Sequence, residues 1–208
     1  GVYCGSDDVV KESLQLEQSV EAKTITTNCM ILEVATDADF EYNQIYGNNS
    51  NNRIIGEFNN IHGVYGNTFN IEIVIVHQNV WTTANDPYNS FNTATVNNEI
   101  SNTWQTTFGN VDRDLVHMFT GKNLGILGRA SGIGNVCSNP NANSYTVDAD
   151  PVNSYTVAHE IGHNLGAQHP VNDPNSNCGG GINRTVMCQG ANIPNIVFSA
   201  FLVCMFKG

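Results

Sequence analysis

The feature that most constrains the fold of this chain is a group of three histidines and one glutamate near its C-terminal end. His159 and His163 lie four residues apart, Glu160 follows the first of them, and His169 comes six residues after the second. On a helix with about 3.6 residues per turn, the first two imidazoles share one face and can reach one ion at about 2.0–2.1 Å. A continuous helix would turn His169 away from that ion. The spacing therefore predicts a helix, a sharp turn, and a return of the chain to the same point.

Local signals predict a helix that begins shortly before the first histidine and ends soon after the second. The dipeptides at 150–151 and 153–154 are typical of helix starts. Gly166 is suited to end the helix, because glycine adopts a left-handed conformation without steric cost. The apolar residues that recur at the spacing of a buried face are Ala158, Ile161 and Leu165.

The same residues point to metal chemistry. Three histidines leave a fourth coordination position open, which distinguishes a catalytic zinc from a closed structural one. Glu160 lies beside the first ligand, where it is suited to act as general base on zinc-activated water. A histidine pair with a glutamate also occurs on ordinary amphipathic helices. The third histidine favours the metal site, because the chain has only six histidines in 208 residues.

With Met187 following the histidines, the sequence resembles the metzincin clan of zinc endopeptidases. Within the clan it is similar to the adamalysin or reprolysin family, to which the snake-venom metalloproteases and the ADAM proteases belong. The likeness covers roughly residues 28 to 204. Three of the segments that carry it, 114–121, 125–130 and 133–137, look like that family's strands ahead of the active-site helix. Residues 155–158 lead into the histidine motif, and residues 198–199 follow Met187 as in that family.

The resemblance implies one catalytic zinc ion held by His159, His163 and His169, with Glu160 as the catalytic base. It implies that Met187 packs beneath the zinc histidines as a structural support without binding the ion. The general alternative for a single methionine is that it fills the core. The reaction implied is hydrolysis of peptide bonds in proteins or peptides.

Three departures bear on the exact family. Pro170 stands where adamalysins carry an aspartate, which keeps another metzincin family open. Gln189 stands where astacins and serralysins carry a tyrosine, which argues against both and removes a phenolic zinc ligand. The calcium-binding acid of the family's first strand has no clear match, so Ca²⁺ binding stays open, with Asp114 as a candidate.

A glycine-rich run at residues 121–134 precedes the zinc motif. It lacks the Gly-Lys-Ser/Thr ending of a phosphate loop. The resemblance instead implies that it forms the edge strand above the cleft, where an extended substrate can add as a further strand. The substrate-binding residues expected there are Gly128, Ala130, Ile133 and Gly134.

Six cysteines and an acidic composition, 19 Asp and Glu against 8 Lys and Arg, predict a secreted protein with disulfide bonds. Cysteine ligation of zinc is the weaker alternative, because no C-x-x-C pair occurs. Cys178 and Cys188 bracket the loop between the third histidine and Met187 and are the first pair we expect. The resemblance implies a bridge from Cys137 to Cys204, which leaves Cys4 with Cys29.

Charge and hydropathy limit the partners. A net charge of -11 makes nucleic acid an improbable partner, because phosphate binding needs clustered Lys and Arg. The longest apolar run, residues 196–206, is shorter than the roughly 20 residues of a membrane span. The first residues lack a secretion signal. We therefore expect a monomeric mature product whose leader and propeptide have been removed.

The predicted fold is α/β of the α+β type: a metzincin catalytic domain with a mixed twisted sheet, packed helices, the active-site helix and a small irregular C-terminal subdomain. Residues 1–208 form one domain, with an upper subdomain at about 1–166 and a lower one at about 167–208. Periodicity predicts strands at 29–36, 70–77 and 115–119. Helices are expected from the first strand to about Gly63, interrupted by a flexible asparagine loop at 48–52, and at 93–108.

A second hypothesis is a binding or adhesion module, because folds of the clan can persist after catalysis is lost. All four catalytic residues are present, which favours the enzyme. The remaining histidines, His62, His77 and His117, have no partner at metal-ligand spacing and are expected to be ordinary surface or sheet residues.

Overall fold

The computed structural model of the protein describes residues 30–149, 153–169 and 185–188. Strands and helices alternate in the first part of the chain, and three consecutive strands precede the last described helix. In chain order they are β1 (Met30–Ala38), α1 (Phe40–Tyr46), a 3₁₀ turn (Gly47–Asn49), α2 (Ser50–Phe69), β2 (Ile71–Gln78), α3 (Thr93–Thr106), β3 (Leu115–Thr120), β4 (Gly128–Ala130), β5 (Asn143–Val147) and α4 (Asn153–Asn164).

The five strands form one mixed sheet in the order β2-β1-β3-β5-β4. β1 runs parallel to β2 and β3, and β3 runs parallel to β5. β4 alone is antiparallel, and it forms one edge of the sheet beside β5. Parallel neighbours need long crossover connections, and helices α2 and α3 lie in two of them. The predicted mixed sheet with packed helices is confirmed.

Apolar side chains fill both faces of the sheet. One cluster joins α2 and α4 to one face, with Ile54, Phe58 and Ile161 among its buried members. The other cluster packs α3 on the opposite face through Ile100 and Trp104. The Tyr65 hydroxyl donates to the Ala158 carbonyl at 2.7 Å and ties α2 to the zinc-motif helix. The core thus holds α4 rigidly against the sheet.

The expected asparagine loop is absent: residues 47–49 form a 3₁₀ turn and residues 50–52 begin α2. The prediction was wrong because asparagine suits turns and loops locally, whereas the buried face of α2 fixes the segment as helix. The Ser50 hydroxyl also donates to the Gly47 carbonyl at 2.8 Å. The helix continues past Gly63 to Phe69, since Tyr65 and Phe69 extend the same buried face.

The segment 133–137 is not a strand, although the resemblance placed one there; it forms bends and turns. The strand instead lies at Asn143–Val147, which the sequence analysis missed. All five of its residues are buried although three are polar, because their side chains have partners inside. The hydroxyls of Ser144 and Thr146, for example, bond the two ring nitrogens of His117 at 2.8 and 3.0 Å.

Two buried carboxylates lie at the end of β1. Asp37 accepts hydrogen bonds from Trp104 Nε1 at 2.9 Å, from Asn79 Nδ2 at 2.8 Å and from the Tyr88 hydroxyl. Burial raises the pKa of Asp37 to about 6, against the effect of these donors. Asp39 caps α1 through the Tyr42 N–H at 2.8 Å, and burial raises its pKa to about 6 as well.

No helix among the described residues is both long and apolar enough to span a bilayer.

Candidate metal centre and cleft

The Nε2 atoms of His159, His163 and His169 form a triangle in which each pair is 3.1 Å apart. Ligand atoms at about 2.0–2.1 Å from a tetrahedral ion lie roughly 3.3 Å from one another. The triangle therefore has the size that a zinc ion requires. Within residues 30–149, 153–169 and 185–188, it is the one group of three or more His, Cys, Asp or Glu side chains close enough to share a metal.

The second ring nitrogens settle the protonation of two histidines. His159 Nδ1 bonds the Val186 carbonyl at 2.6 Å, and His163 Nδ1 bonds the Ala167 carbonyl at 2.7 Å. A carbonyl oxygen only accepts, so both Nδ1 atoms carry the proton and both Nε2 atoms expose a lone pair. Two such lone pairs facing each other at 3.1 Å repel one another unless a cation lies between them. The donor set thus fits a metal, with the carbonyls orienting the ligands.

Burial keeps the histidines in the form that binds metals. It lowers the pKa of His159 to about 4, helped by the neighbouring His163 and His169 and opposed by the Val186 carbonyl. Burial also lowers the pKa of His163 and of His169. Neutral imidazole is the ligating form, so the triad is ready to bind at neutral pH without losing a proton.

Helix α4 positions the first two histidines, and all of its residues from Asn153 to Asn164 are buried. The helix ends after the second histidine, where Gly166 N–H donates to the His163 carbonyl at 2.9 Å. Gly166 has a φ of +108°, which L side chains rarely adopt. The predicted glycine turn is confirmed, and it returns the chain so that His169 meets the other two.

The segment 131–137 clamps the end of this helix. Gly134 N–H donates to the His163 carbonyl at 2.9 Å, and Val136 N–H donates to the Asn164 carbonyl at 3.1 Å. The Asn164 side chain donates to Asn135 Oδ1 at 2.8 Å and to the Asn143 carbonyl at 3.0 Å. Gly134 therefore lies against the helix end, and its expected role in substrate binding stays a prediction.

A cleft of about 880 Å³ opens beside the triad. One wall is β4 and its flanks, including Gly128, Ala130 and Ile133, three of the residues expected to hold substrate. The other wall is α4 with Glu160 and the histidines. The structure thus brings these predicted site residues together around one open space.

Glu160 faces β4 across this cleft. Burial raises its pKa to about 8, whereas the Ala130 backbone N–H that bonds it and the charge of Arg129 act in the opposite direction. A Cβ added to Gly128 would lie 2.6 Å from Thr156 Cγ2 and 3.0 Å from Glu160 Cγ. The missing side chain at Gly128 is therefore what lets the strand approach the glutamate so closely.

The turn at residues 185–188 lies directly beneath the histidines. Cys188 N–H closes it by donating to the Thr185 carbonyl at 3.0 Å, and Met187 is fully buried within the same cluster as Ala158. The Tyr155 hydroxyl donates to the Val186 carbonyl at 2.6 Å and also contacts the Cys188 carbonyl. Tyr155 could not be recognised as a functional residue from the sequence, because nothing in its helical spacing distinguishes it from an ordinary buried tyrosine.

Several other predictions fall partly or wholly outside the described residues. Cys137 and Cys188 are each disulfide-bonded, and the partners expected for them, Cys204 and Cys178, lie outside. The pair Cys4 and Cys29 lies outside as well, so all three pairings stay predictions. Asp114, the calcium candidate, accepts a hydrogen bond from the Glu33 backbone N–H at 2.9 Å.

Two comparisons place this arrangement among known proteins. The family model described as metallo-peptidase family M12B, reprolysin-like, matches residues 51–170. A solved structure titled "Structure of a chaperone-substrate complex" contains a chain similar in fold, with a TM-score of 0.60 and 18% identity. That match covers 79% of this chain and 28% of the solved chain, so this chain spans little more than a quarter of its length.

Proposed function

The chain belongs to the reprolysin-like M12B family of metallopeptidases, and from this premise we propose that it is a zinc-dependent endopeptidase that acts outside the cell. One observation carries the proposal: three Nε2 atoms converge at 3.1 Å from one another beside a buried glutamate and an open cleft. Action outside the cell is supported by the disulfide-bonded Cys137 and Cys188, because disulfides persist in oxidising compartments.

We assign the proton transfers to Glu160. Zinc in such a site supplies Lewis-acid chemistry, polarising a carbonyl and lowering the pKa of water toward about 7. The Glu160 carboxylate accepts the proton of the attacking water and returns it to the leaving nitrogen of the peptide. The Ala130 N–H bonds this carboxylate and fixes its direction. A cation at the triad favours the ionised form that a base requires.

We propose that β4 holds the substrate as an added antiparallel strand. Ser131 N–H donates to the Asn143 carbonyl at 2.9 Å, and Val147 N–H donates to the Leu127 carbonyl at 2.7 Å. Because backbone groups alternate in direction along a strand, those of Gly128 and Ala130 turn away from β5 toward the cleft. An extended peptide can bond the N–H and carbonyl of Gly128 and the carbonyl of Ala130, whose N–H bonds Glu160, and pass the triad.

We infer that the turn at 185–188 supports the metal ligands from below and that Met187 is its apolar floor. The support is the hydrogen bond from His159 to the Val186 carbonyl and the burial of Met187. We also propose that residues 1–208 form a single catalytic domain, with a lower subdomain at about 167–208. The protein acts as a monomer. Calcium binding stays open, with Asp114 as its candidate.

The test is cleavage of a diverse peptide library by the zinc-loaded protein, with Glu160→Gln as the matched control. We expect cuts within peptides by the unmutated protein and a loss of about 10²-fold or more in the variant, because a general base contributes that much. Zinc should bind to both proteins at one ion per chain. An intact zinc stoichiometry without any cleavage would contradict the peptidase and favour a binding module.

A further inference from the structure

Basic side chains are few in the described residues, and three of the four are engaged. Arg53 pairs with Glu57 at 3.1 Å, Arg113 donates to the Val111 carbonyl at 2.7 Å, and Lys122 is buried. The fourth, Arg129, is exposed at the centre of β4 and lines the cleft. Its guanidinium forms no hydrogen bond or ion pair with another residue in the part of the chain that the structure describes.

The sheet register determines where this side chain lies. Arg129 pairs with Tyr145 in antiparallel β5, so the two side chains share one face of the sheet. Tyr145 belongs to the cluster under α3, on the face opposite the zinc helix. The neighbouring Gly128 faces the zinc helix instead, since its missing Cβ would touch Thr156. Arg129 therefore stands at the outer rim of the cleft, not on its floor.

A bound peptide would meet Arg129 in a defined way. The backbone groups of Arg129 turn toward β5, so an antiparallel peptide bonds the Gly128 groups and the Ala130 carbonyl and leaves Arg129 in a non-hydrogen-bonded pair. In such pairs the Cα atoms are only about 4.5 Å apart, and both side chains lie on the same face. The peptide residue opposite Arg129 thus has its side chain beside the guanidinium, while its two neighbours point toward the zinc helix.

Arg129 is a positive charge on a protein that is strongly negative overall. The protein carries a net charge of -11, so its general field disfavours acidic peptides. Arg129 and Glu160 line the same cleft, so the positive charge of the guanidinium borders the space that a peptide would enter. Nearby, Ile126 and Ile133 are exposed apolar residues of the same cleft. Arg129 is the only charged residue of β4, so it is the one residue of this strand that attracts an acidic peptide side chain.

We propose that Arg129 is a specificity-determining residue that selects peptides with Asp or Glu at the position opposite it on β4. The selection rests on the proposed peptidase function and on the added-strand pairing. The competing role for an exposed arginine on an edge strand is to prevent edge-to-edge association, which requires no particular charge in the substrate.

The test uses pairs of peptides that differ only by Glu or Gln, with the substitution moved one position at a time around the cut. For the zinc-loaded enzyme, we expect the ratio of kcat/KM values, Glu over Gln, to reach about three to ten at one position only. The ratio should fall to about one in Arg129→Gln. In Arg129→Glu, Lys should be preferred over Gln at that position. Arg53→Gln makes the same net charge change away from the cleft and should keep the original ratio.

A second measurement separates this inference from the proposed function. Fluorescence anisotropy gives the affinity of the Glu160→Gln protein for the same peptide pairs without cleavage. A preference for Glu that Arg129→Gln abolishes supports the selection, even where no peptide is cut. Cleavage or binding without a preference for Glu, or a preference that survives in Arg129→Gln, overturns the selection while leaving the peptidase intact.

Discussion

At the scale of single residues, the metal site depends on which ring nitrogen each histidine leaves free. Carbonyl oxygens of Val186 and Ala167 hold Nδ1–H of His159 and His163, which directs both Nε2 atoms to the same point. The Val186 carbonyl also accepts from Tyr155. The backbone of the turn at 185–188 is thus fixed by the helix above it, and any loosening of that turn frees the ring of His159.

Tyr155→Phe should weaken zinc binding. Loss of the hydroxyl removes its bond to the Val186 carbonyl and its contact with the Cys188 carbonyl, both of which hold the turn in place. Loss of a group that orients a metal ligand costs about 10- to 100-fold in affinity, and we expect the lower end because Val186 keeps its bond to His159. Competition with a zinc chelator measures the effect.

Tyr145→Phe is the matched control for this prediction. It also removes a hydroxyl, which donates to the Thr93 carbonyl at 3.0 Å on the opposite face of the sheet. It should leave zinc affinity unchanged. Equal zinc affinities of the Tyr155→Phe and wild-type proteins would show that the hydroxyl has no part in holding the ligands.

Gly128→Ala should lower activity and stability together. Its Cβ would lie 2.7 Å from the backbone oxygen of Tyr145 and 2.6 Å from Thr156, so β4 has to shift away from Glu160. We expect a loss of about 1–3 kcal/mol in the free energy of unfolding and a fall in kcat/KM of about tenfold or more. Gly56→Ala, whose Cβ would meet nothing within 4 Å, should be neutral or stabilising. A Gly128→Ala enzyme of wild-type activity would argue against close approach of β4.

At the scale of elements, the end of α4 shows how a loop and a helix fix each other. The Asn164 side chain, fully buried, donates to the loop at Asn135 and to β5 at Asn143. Asn164→Ala removes both hydrogen bonds, although the Asn143 carbonyl keeps the Ser131 N–H, and should cost about 1–3 kcal/mol in the free energy of unfolding, measured by chemical denaturation. Asn98→Ala, at an exposed site on α3, should cost little. Equal free energies of unfolding for the Asn164→Ala and Asn98→Ala proteins would show that the Asn164 side chain does not hold the loop to the helix end.

The elements that the sequence predicted are those whose signal is carried by their own residues. The zinc-motif helix and the turn at Gly166 follow from local spacing and from the tolerance of glycine for positive φ. β5 could not be recognised, since its polar residues are buried only because partners such as His117 face them across the sheet. The asparagine run at 48–52 was wrongly predicted to be a loop. The local preference of asparagine for loops is outweighed there by the apolar face of α2, which is buried against the sheet.

In the candidate site, too, the features set by local sequence could be predicted, and those set by contacts between distant elements could not. Histidine spacing predicted which residues converge, and the structure brings all three together with Glu160 on the cleft wall. The orienting carbonyls, the Tyr155 hydroxyl and the empty space at Gly128 depend on contacts between elements far apart in sequence. No spacing within the chain contains that information.

At the scale of the whole molecule, the two buried carboxylates of β1 make stability depend on pH. Burial raises the pKa of Asp37 and of Asp39 to about 6, from 3.8 in an exposed setting. Between these values the folded protein holds more protons than the unfolded chain. The free energy of unfolding must therefore fall as pH rises through this window, by up to about 3 kcal/mol for each group.

Asp37→Asn tests this dependence in metal-free protein, where the histidine triad is common to both chains. The variant is expected to be less stable than wild type at pH 4, because its amide group faces donors such as Trp104 that need an acceptor. The stability of wild type relative to the variant should then fall by about 2 kcal/mol between pH 4 and pH 7, as the wild-type carboxyl loses its proton. Chemical denaturation across this range measures the difference. Asp112→Asn, at an exposed site, should keep the wild-type slope. A difference that stays constant, or grows as pH rises, would show that Asp37 is already ionised at pH 4 and that its donors outweigh its burial.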